Sequence, residues 1–346
     1  MSNKCTIMDV ARHAGVAKST VSFVLNGKKN INTEIKKRIF TAIKQLEYQP
    51  STMAKLLKNN RTMQIGVVVD DVTNPAAGLG VDRISHQLKI HGYHMLLGLA
   101  PKEVDLPTVH QYLKNFSFGM VDGIINMSSI VGLEEAESLC KNVPTVTFRR
   151  TMRKGKIHDL IDFANAIFKC MEHLTGLGHV KIGILVCDNQ CPDFSVTPIE
   201  TGYREFCAKE KLSLDESMIE RVGVLDSNAE HGARLLDAGA TAIIASSDLM
   251  AANVIQMAYK RGLKIPDDFS LIGLEDTMLT TLTTPNLTSL QMPNDAVAEL
   301  TVRQLLEKIN DEDQMPPESI VPTLIVRDST GPAPSKTKRT KRSYIN

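Results

Sequence analysis

Over the first 62 residues, apolar positions recur at helical spacing in short runs. Ile7, Val10, Ala11 and Ala14 share one face, and Thr6-Ile7-Met8-Asp9 has the capping-box form, so a helix should begin just after Thr6. Gly15 breaks the run and permits a tight turn. Val21, Val24 and Leu25 predict a second helix over about residues 18–25, ended by Asn26-Gly27, since both residues tolerate positive φ. Asn32 can cap a third helix carrying Ile35, Ile39, Ala42, Ile43 and Leu46, and Pro50 should stop it. Two short helices joined by a glycine turn and followed by a third predict an all-α helix-turn-helix head over residues 1–48. In the linker 49–62, Met53, Ala54, Leu56 and Leu57 fall within one or two helical turns, too short a stretch to hold a helix alone in water.

From residue 63 the pattern changes. Apolar, β-rich runs at 64–70, 93–99, 121–127 and 145–148 alternate with helical stretches, the first over 78–91. A second series starts near Asp162, with helices over 163–177, 198–211 and 249–262 and strands over 181–186, 241–245 and 270–274. Such alternation predicts parallel sheets covered on both faces, here as two Rossmann-like subdomains spanning 63–330 with a cleft between them. Ligands of such folds sit beyond the carboxyl ends of the strands, in loops near 70–76, 127–131, 149–162, 188–199, 246–249 and 275–281. Residues 331–346 are rich in Pro and Lys and read as a disordered basic tail.

Charge sharpens this division. The net charge of +1 over 346 residues conceals a head (1–62) with 12 basic and 3 acidic residues, an acidic body (63–335) with 23 and 36, and a tail with 5 and 0. A basic head on an acidic body suggests that the head alone meets a polyanion. No apolar run approaches the ~20 residues needed to cross a bilayer, and the first residues lack a signal-type apolar segment, so no membrane partner and a cytoplasmic setting are expected. The six cysteines lack zinc spacing and read as reduced thiols.

In a helix-turn-helix unit the second helix enters the major groove. Its exposed positions here are Lys18, Ser19, Thr20, Ser22 and Phe23. Lys18 can donate to guanine O6/N7, Ser19 can pair with several bases, and Phe23 can touch a thymine methyl; Lys and Ser equally suit a solvated helix face. Lys28, Lys29, Asn30 and Asn32 sit where a loop and a helix N-terminus would meet phosphates.

The segments TIMDVARHAGVAKSTVSFVLNGKKNIN and LEYQPSTMAKLLKNN resemble the head of the LacI/GalR family of bacterial transcriptional regulators. The resemblance continues through IGVVVDDVTNP, VDGII, HLTGLGHVKIGIL, TAIIASSD, IPDDFSLIGLED, NLTSLQMP and LIVRDST, covering about residues 5–330. It implies a periplasmic-binding-protein-like core whose chain crosses between its halves three times. It also implies DNA contacts from Thr6 and Asn26 besides those above, and a hinge helix that folds when two copies pair on DNA. In that hinge Leu57 would wedge into a base step from the minor groove, Ala54 would lie at the helix–helix contact, and Lys55 occupies a position where Arg is frequent.

The same resemblance places effector contacts at Asn74, Ala76, Asp162, Ile199, Ser247, Asp248 and Glu275, several of which depart from the sugar-responsive pattern, and Arg149 joins them as a charged residue at a cleft-side strand end. Ala76-Ala77 follows Asn74-Pro75 where an aromatic is usual, Ile199 stands in place of an Arg, Ser247-Asp248 replaces Asn-Asp, and Glu275 replaces Asp. A stacking ring and a bidentate donor for vicinal hydroxyls are thus missing. Arg149-Arg150 adds positive charge that favours an anionic ligand or simply faces solvent. Ala17 replaces the usual Ser or Thr before the recognition helix, removing an N-cap worth about 1 kcal/mol. No leucine-heptad tail follows Thr330, so a dimer is expected and a tail-built tetramer is not.

An enzyme is disfavoured. Gly78-x-Gly80 lacks the third glycine of a dinucleotide fingerprint, and no nucleophile elbow, P-loop or His-Glu-x-x-His occurs, so no cofactor or metal is expected. A solute-binding protein would share the body but carry a secretion signal and no basic head. The expectation is a homodimeric regulator, a repressor by preference, that reads a near-palindromic operator and responds to a sugar or related metabolite. A vestigial cleft, or control by a protein partner, is the alternative.

Overall fold

The computed structural model describes residues 5–25, 31–48, 61–99, 106–153, 156–187, 197–223, 228–312 and 319–335. The chain divides into two compact units, Met1–Thr62 and Met63–Asn346.

The first unit holds α1 (Ile7–Ala14), α2 (Lys18–Leu25) and α3 (Thr33–Gln45). Thr6 caps α1 reciprocally: its backbone N–H donates to Asp9 Oδ2 at 2.9 Å, and its hydroxyl oxygen accepts from Asp9 N. Gly15 ends α1 in the left-handed region at φ 62°, and a Cβ there would meet the Arg38 guanidinium, which donates to the Ala14 carbonyl. Val10, Ala11, Ala14, Val21, Val24, Ile39 and Ala42 form the core, as their spacing predicts, joined by Tyr48. Pro50 does not stop α3. The helix ends at Gln45, and Glu47 takes a φ of 47° as the chain turns to bring Tyr48 into the core.

The second unit contains two six-stranded sheets. The first has the order β2 (His94–Leu99), β1 (Gln64–Val69), β3 (Gly123–Asn126), β4 (Thr145–Thr147), β5 (Arg150–Arg153), β6 (Lys156–Asp159). It is parallel through β4, with Val67 opposite both Leu97 and Ile125. Within the segment 149–162, expected as a ligand loop, β5 and β6 instead continue the sheet as antiparallel strands, with Thr151 opposite His158. One face is covered by α5 (Leu106–Ser117) and α6 (Leu133–Leu139) through Val109, Leu113, Phe116 and Ala136. The other face is covered by α4 (Pro75–Ile90) and α12 (Asn294–Asn310) through Ile84, Leu88, Ala298, Val302 and Leu305.

The second sheet has the order β12 (Thr323–Ile325), β11 (Thr288–Gln291), β10 (Ser270–Gly273), β9 (Ala242–Ala245), β7 (Ile182–Cys187), β8 (Ile219–Val222). Only β12 runs antiparallel. Helices α7 (Phe163–Gly176) and α8 (Pro198–Lys209) cover one face, and α9 (Asn228–Asp237) and α10 (Asp248–Lys260) the other. A Cβ at Gly202 would stand 2.8 Å from the Cα of Ala164, so glycine there lets α8 lie against α7. A short helix, α11 (Leu279–Leu282), precedes β11.

The chain passes between the sheets at 160–162, 292–293 and 320–322. Two of these crossings are tied together, with Asp162 N donating to Ile320 O and Ile320 N donating to Leu160 O. Within the segment expected to be a disordered tail, Gly331 and Ala333 bond to the core. His179 Nε2 lies 3.0 Å from Gly331 O, and Ala333 N donates to Leu177 O at 2.9 Å.

Candidate nucleic-acid interface and ligand cleft

Helix α2 buries Val21 and Val24 against α1 and α3, and this fixes which residues face outward. Lys18 and Ser19 are exposed, Thr20 and Ser22 are half-buried, and Phe23 keeps 40% of its surface accessible. An aromatic ring exposed to that extent on a short helix has an apolar face available to a partner. Ala17 offers α2 no side-chain cap; its carbonyl accepts from Thr20 N and Val21 N. Thr6 is occupied in its capping box, and Asn32 caps α3 by accepting from Glu34 N at 2.8 Å. Asn26, Asn30, Ala54, Lys55 and Leu57, and with them the expected hinge helix, lie outside the described residues.

In the core, both strand orders reverse direction at an inner strand pair, and such switch points open crevices at the strands' carboxyl ends. In the first sheet the switch lies between β1 and β3. There Asp70 Oδ2 accepts from both the backbone and the hydroxyl of Ser129, each at 2.6 Å, while Asp70 Oδ1 is buried with no partner among the described residues. In the second sheet it lies between β7 and β9, where Cys187 N donates to Ser246 Oγ.

Several expected ligand contacts are helix caps. Asn74 accepts from Ala76 N at the start of α4, Asp162 from Asn165 N and Nδ2 at the start of α7, and Ser247 from Met250 N at the start of α10. Ala76 is half-buried in the first turn of α4. Ile199 packs against the second subdomain's core and against the cluster of Ile161, Phe163 and Val297. Asp248 requires a correction as a direct contact. It exposes none of its surface, and its carboxylate is taken up by Thr277 N, Thr277 Oγ1 and Ser289 Oγ at 2.6, 2.9 and 2.7 Å. It braces the turn after β10.

That turn carries Glu275, whose carboxylate accepts from Asp248 N at 3.1 Å. Burial pushes the Glu275 carboxyl up to about 8; the nearby Asp248 carboxylate adds to this, and Arg149 opposes it. Arg149 follows β4 of the first sheet and Glu275 follows β10 of the second, so that electrostatic contact spans the two subdomains. The Arg149 guanidinium lies 4.9 Å from the centroid of the Phe163 ring, a cation–π distance. Asp159, buried beside Arg149 and Arg150, is likewise raised by desolvation. Beyond Glu275, Asp276 pairs with Arg327 at 2.6 Å. Phe163, Asp159 and Arg327 went unnoticed in the sequence because nothing local marks them: each gains its place through a partner on another element.

Among the described residues, no group of three or more His, Cys, Asp or Glu side chains is arranged to hold a metal ion, and no helix is long and apolar enough to cross a membrane.

Residues 6–51 match the bacterial regulatory proteins of the lacI family, and residues 171–330 match the periplasmic binding protein-like domain. Catabolite control protein A of Priestia megaterium is 32% identical over 315 residues, covering 89% of this chain and 93% of that protein. The HTH-type transcriptional regulator DegA of Bacillus subtilis is 30% identical, covering 95% and 99%. The transcriptional repressor PurR of Vibrio cholerae is 29% identical, covering 94% and 99%. The fold is that of the lac repressor dimer solved with operator and the anti-inducer ONPF, with a TM-score of 0.83 at 21% identity over 95% of this chain and all of that one.

The chain therefore belongs to the LacI family, with a helix-turn-helix head and a periplasmic-binding-protein-like core of two α/β subdomains. It is a DNA-binding transcriptional regulator.

Proposed function

We propose that two copies of this chain bind a near-palindromic operator and repress transcription from it, and that a small metabolite in the cleft between the core subdomains sets operator affinity. The observation that carries the DNA half is α2. Its buried Val21 and Val24 turn Lys18, Ser19 and Phe23 outward together on one short helix next to a left-handed glycine turn. Lys18 and Ser19 read base edges, Phe23 contacts a thymine methyl, and Thr20, Ser22, Asn26, Asn30 and Asn32 meet the backbone. Two heads read two half-sites, and the two-fold symmetry of the pair sets the palindrome. The residues Ala54, Lys55 and Leu57 act at the centre of the site from the minor groove. The relatives named repressors support the sign of the effect, and the lac repressor dimer on its operator supports the pairing.

The effector half rests on the strand-end positions of Arg149 and Glu275, which follow β4 of one subdomain and β10 of the other and lie within electrostatic reach of each other. A ligand between them that favours one relative orientation shifts the equilibrium by its differential affinity for the two states. Selection of bound duplexes from a random pool with the intact chain tests the proposal. A two-fold symmetric consensus is expected; recovery of no preferred sequence, or of an asymmetric single half-site, overturns it.

A further inference from the structure

We propose that the cleft selects a small oxyanion, a metabolite carrying a carboxylate or a phosphate ester, and that the Arg149 guanidinium recognises its charge. The proposal rests on the reading of the cleft as an effector site and adds the chemical class of its ligand.

The first support is the backbone. Arg149 sits at φ 67° in the turn between β4 and β5. A non-glycine residue in the left-handed region carries strain that persists where the surroundings or the function fix it. The turn places the guanidinium over the ring of Phe163, past the first crossing, and within electrostatic reach of Asp159 on its own sheet and of Glu275 on the other subdomain. Stacking on the ring face leaves the planar fork of N–H donors at the guanidinium edge, the geometry that suits a carboxylate or phosphate.

The second support is a mismatch in pairing. The acidic groups around the cleft are hydrogen-bonded, save that Asp70 Oδ1 has no partner among the described residues, and Asp159, within electrostatic reach of Arg149, has its carboxyl raised by burial. Asp70 accepts from Ser129, Asp159 from Ile161 N, and Asp162 from Asn165. Asp248 accepts from Thr277 and Ser289, and Asp276 from Arg327 and Gln291. Arg149, by contrast, makes no side-chain hydrogen bond and no ion pair within 4.0 Å with any of the described residues. Glu275 does not supply the missing charge at neutral pH, because burial holds its carboxyl protonated up to about 8. A half-buried cation with no direct ion pair, beside two acids that burial shifts toward their neutral form, is a site in want of an anion.

The test uses the intact protein, with melting temperature and calorimetry read against inorganic phosphate, glucose 6-phosphate, gluconate and neutral glucose. At least one anion should raise the melting temperature by about 2–4 °C or more at saturation, with glucose inert. Arg149→Gly should abolish that response in a variant that still melts cooperatively without ligand, since glycine takes this φ without strain. Arg149→Lys should keep part of it. Phosphate alone, gluconate alone or both responding tells ester from carboxylate. The proposal is overturned if no anion binds, if glucose binds as well as its phosphate, or if the response survives in Arg149→Gly, as it would if the anion sat on the basic head. Should glucose shift operator affinity where its phosphate does not, the charge assignment fails and the effector cleft stands. If none of the probes binds or changes operator affinity, the cleft reading fails with it.

Discussion

Replacing Glu275 by Gln isolates one proton in the cleft. The carboxyl has an ordinary value of 4.5 and is pushed up to about 8 in the folded protein, first by burial and then by the Asp248 carboxylate. A raised acid is held protonated by the fold. It therefore contributes stability that is full below the unfolded value and is lost as pH rises through the folded one. At 1.36 kcal/mol per unit, a shift of this size removes about 2 kcal/mol between about pH 5.5 and about pH 7.5. The Gln variant keeps the amide in place of the neutral acid and lacks this loss. Other groups titrate in the same window: burial depresses His173 and His179, whose contribution runs the opposite way, growing as pH rises. The quantity to measure is thus the difference between wild type and variant in urea unfolding followed by far-UV circular dichroism. The variant should gain on the wild type by about 2 kcal/mol across that interval. Two curves that stay parallel would show that Glu275 titrates like an ordinary surface acid, and the picture of a neutral Glu275 facing Arg149 would fall.

Other consequences are equally direct. Lys18→Ala should cost about 1–3 kcal/mol in operator binding and relax preference at one base position; a uniform loss with a salt slope lower by about one would reassign Lys18 to a phosphate. Operator affinity of the intact chain should fall steeply between low and moderate salt, and a flat titration would contradict phosphate neutralisation by the head. Asp248→Ala should destabilise the core by about 3–5 kcal/mol, because three buried donors lose their acceptor; denaturant midpoints close to wild type would refute the bracing role. Thr6→Ala should weaken the head by about 1 kcal/mol through loss of the capping box, read as earlier loss of head helicity on heating.

The head was largely legible because its signals are local. A capping box spans four residues, a left-handed glycine needs only its own backbone freedom, and the inward faces of α1, α2 and α3 follow from spacing alone. Where α3 ends was not legible from Pro50, since the apolar Tyr48 draws the chain back into the core before the proline acts. The strand pair β5–β6 escaped notice because it is a polar edge: Lys156-Ile157-His158-Asp159 carries no apolar run, and its pairing comes from the sheet it joins.

The sequence by itself determined the two-part plan, the helix-turn-helix unit, the side of α2 that faces outward, and the alternation that makes two covered parallel sheets. These depend on propensity and period, which act over a few residues or one turn. Only the tertiary structure decided the chemistry of the cleft. Asn74, Asp162 and Ser247 look alike as polar strand-end residues until the helix N-termini claim them, and Asp248 looks like a ligand contact until Thr277 and Ser289 enclose it. Arg149 and Glu275 lie far apart in the chain, at the strand ends of different sheets, and act on each other electrostatically only in the folded chain. Desolvation and charge act through space, so which acid burial raises and which cation lacks a direct ion pair becomes definite only once the chain has folded.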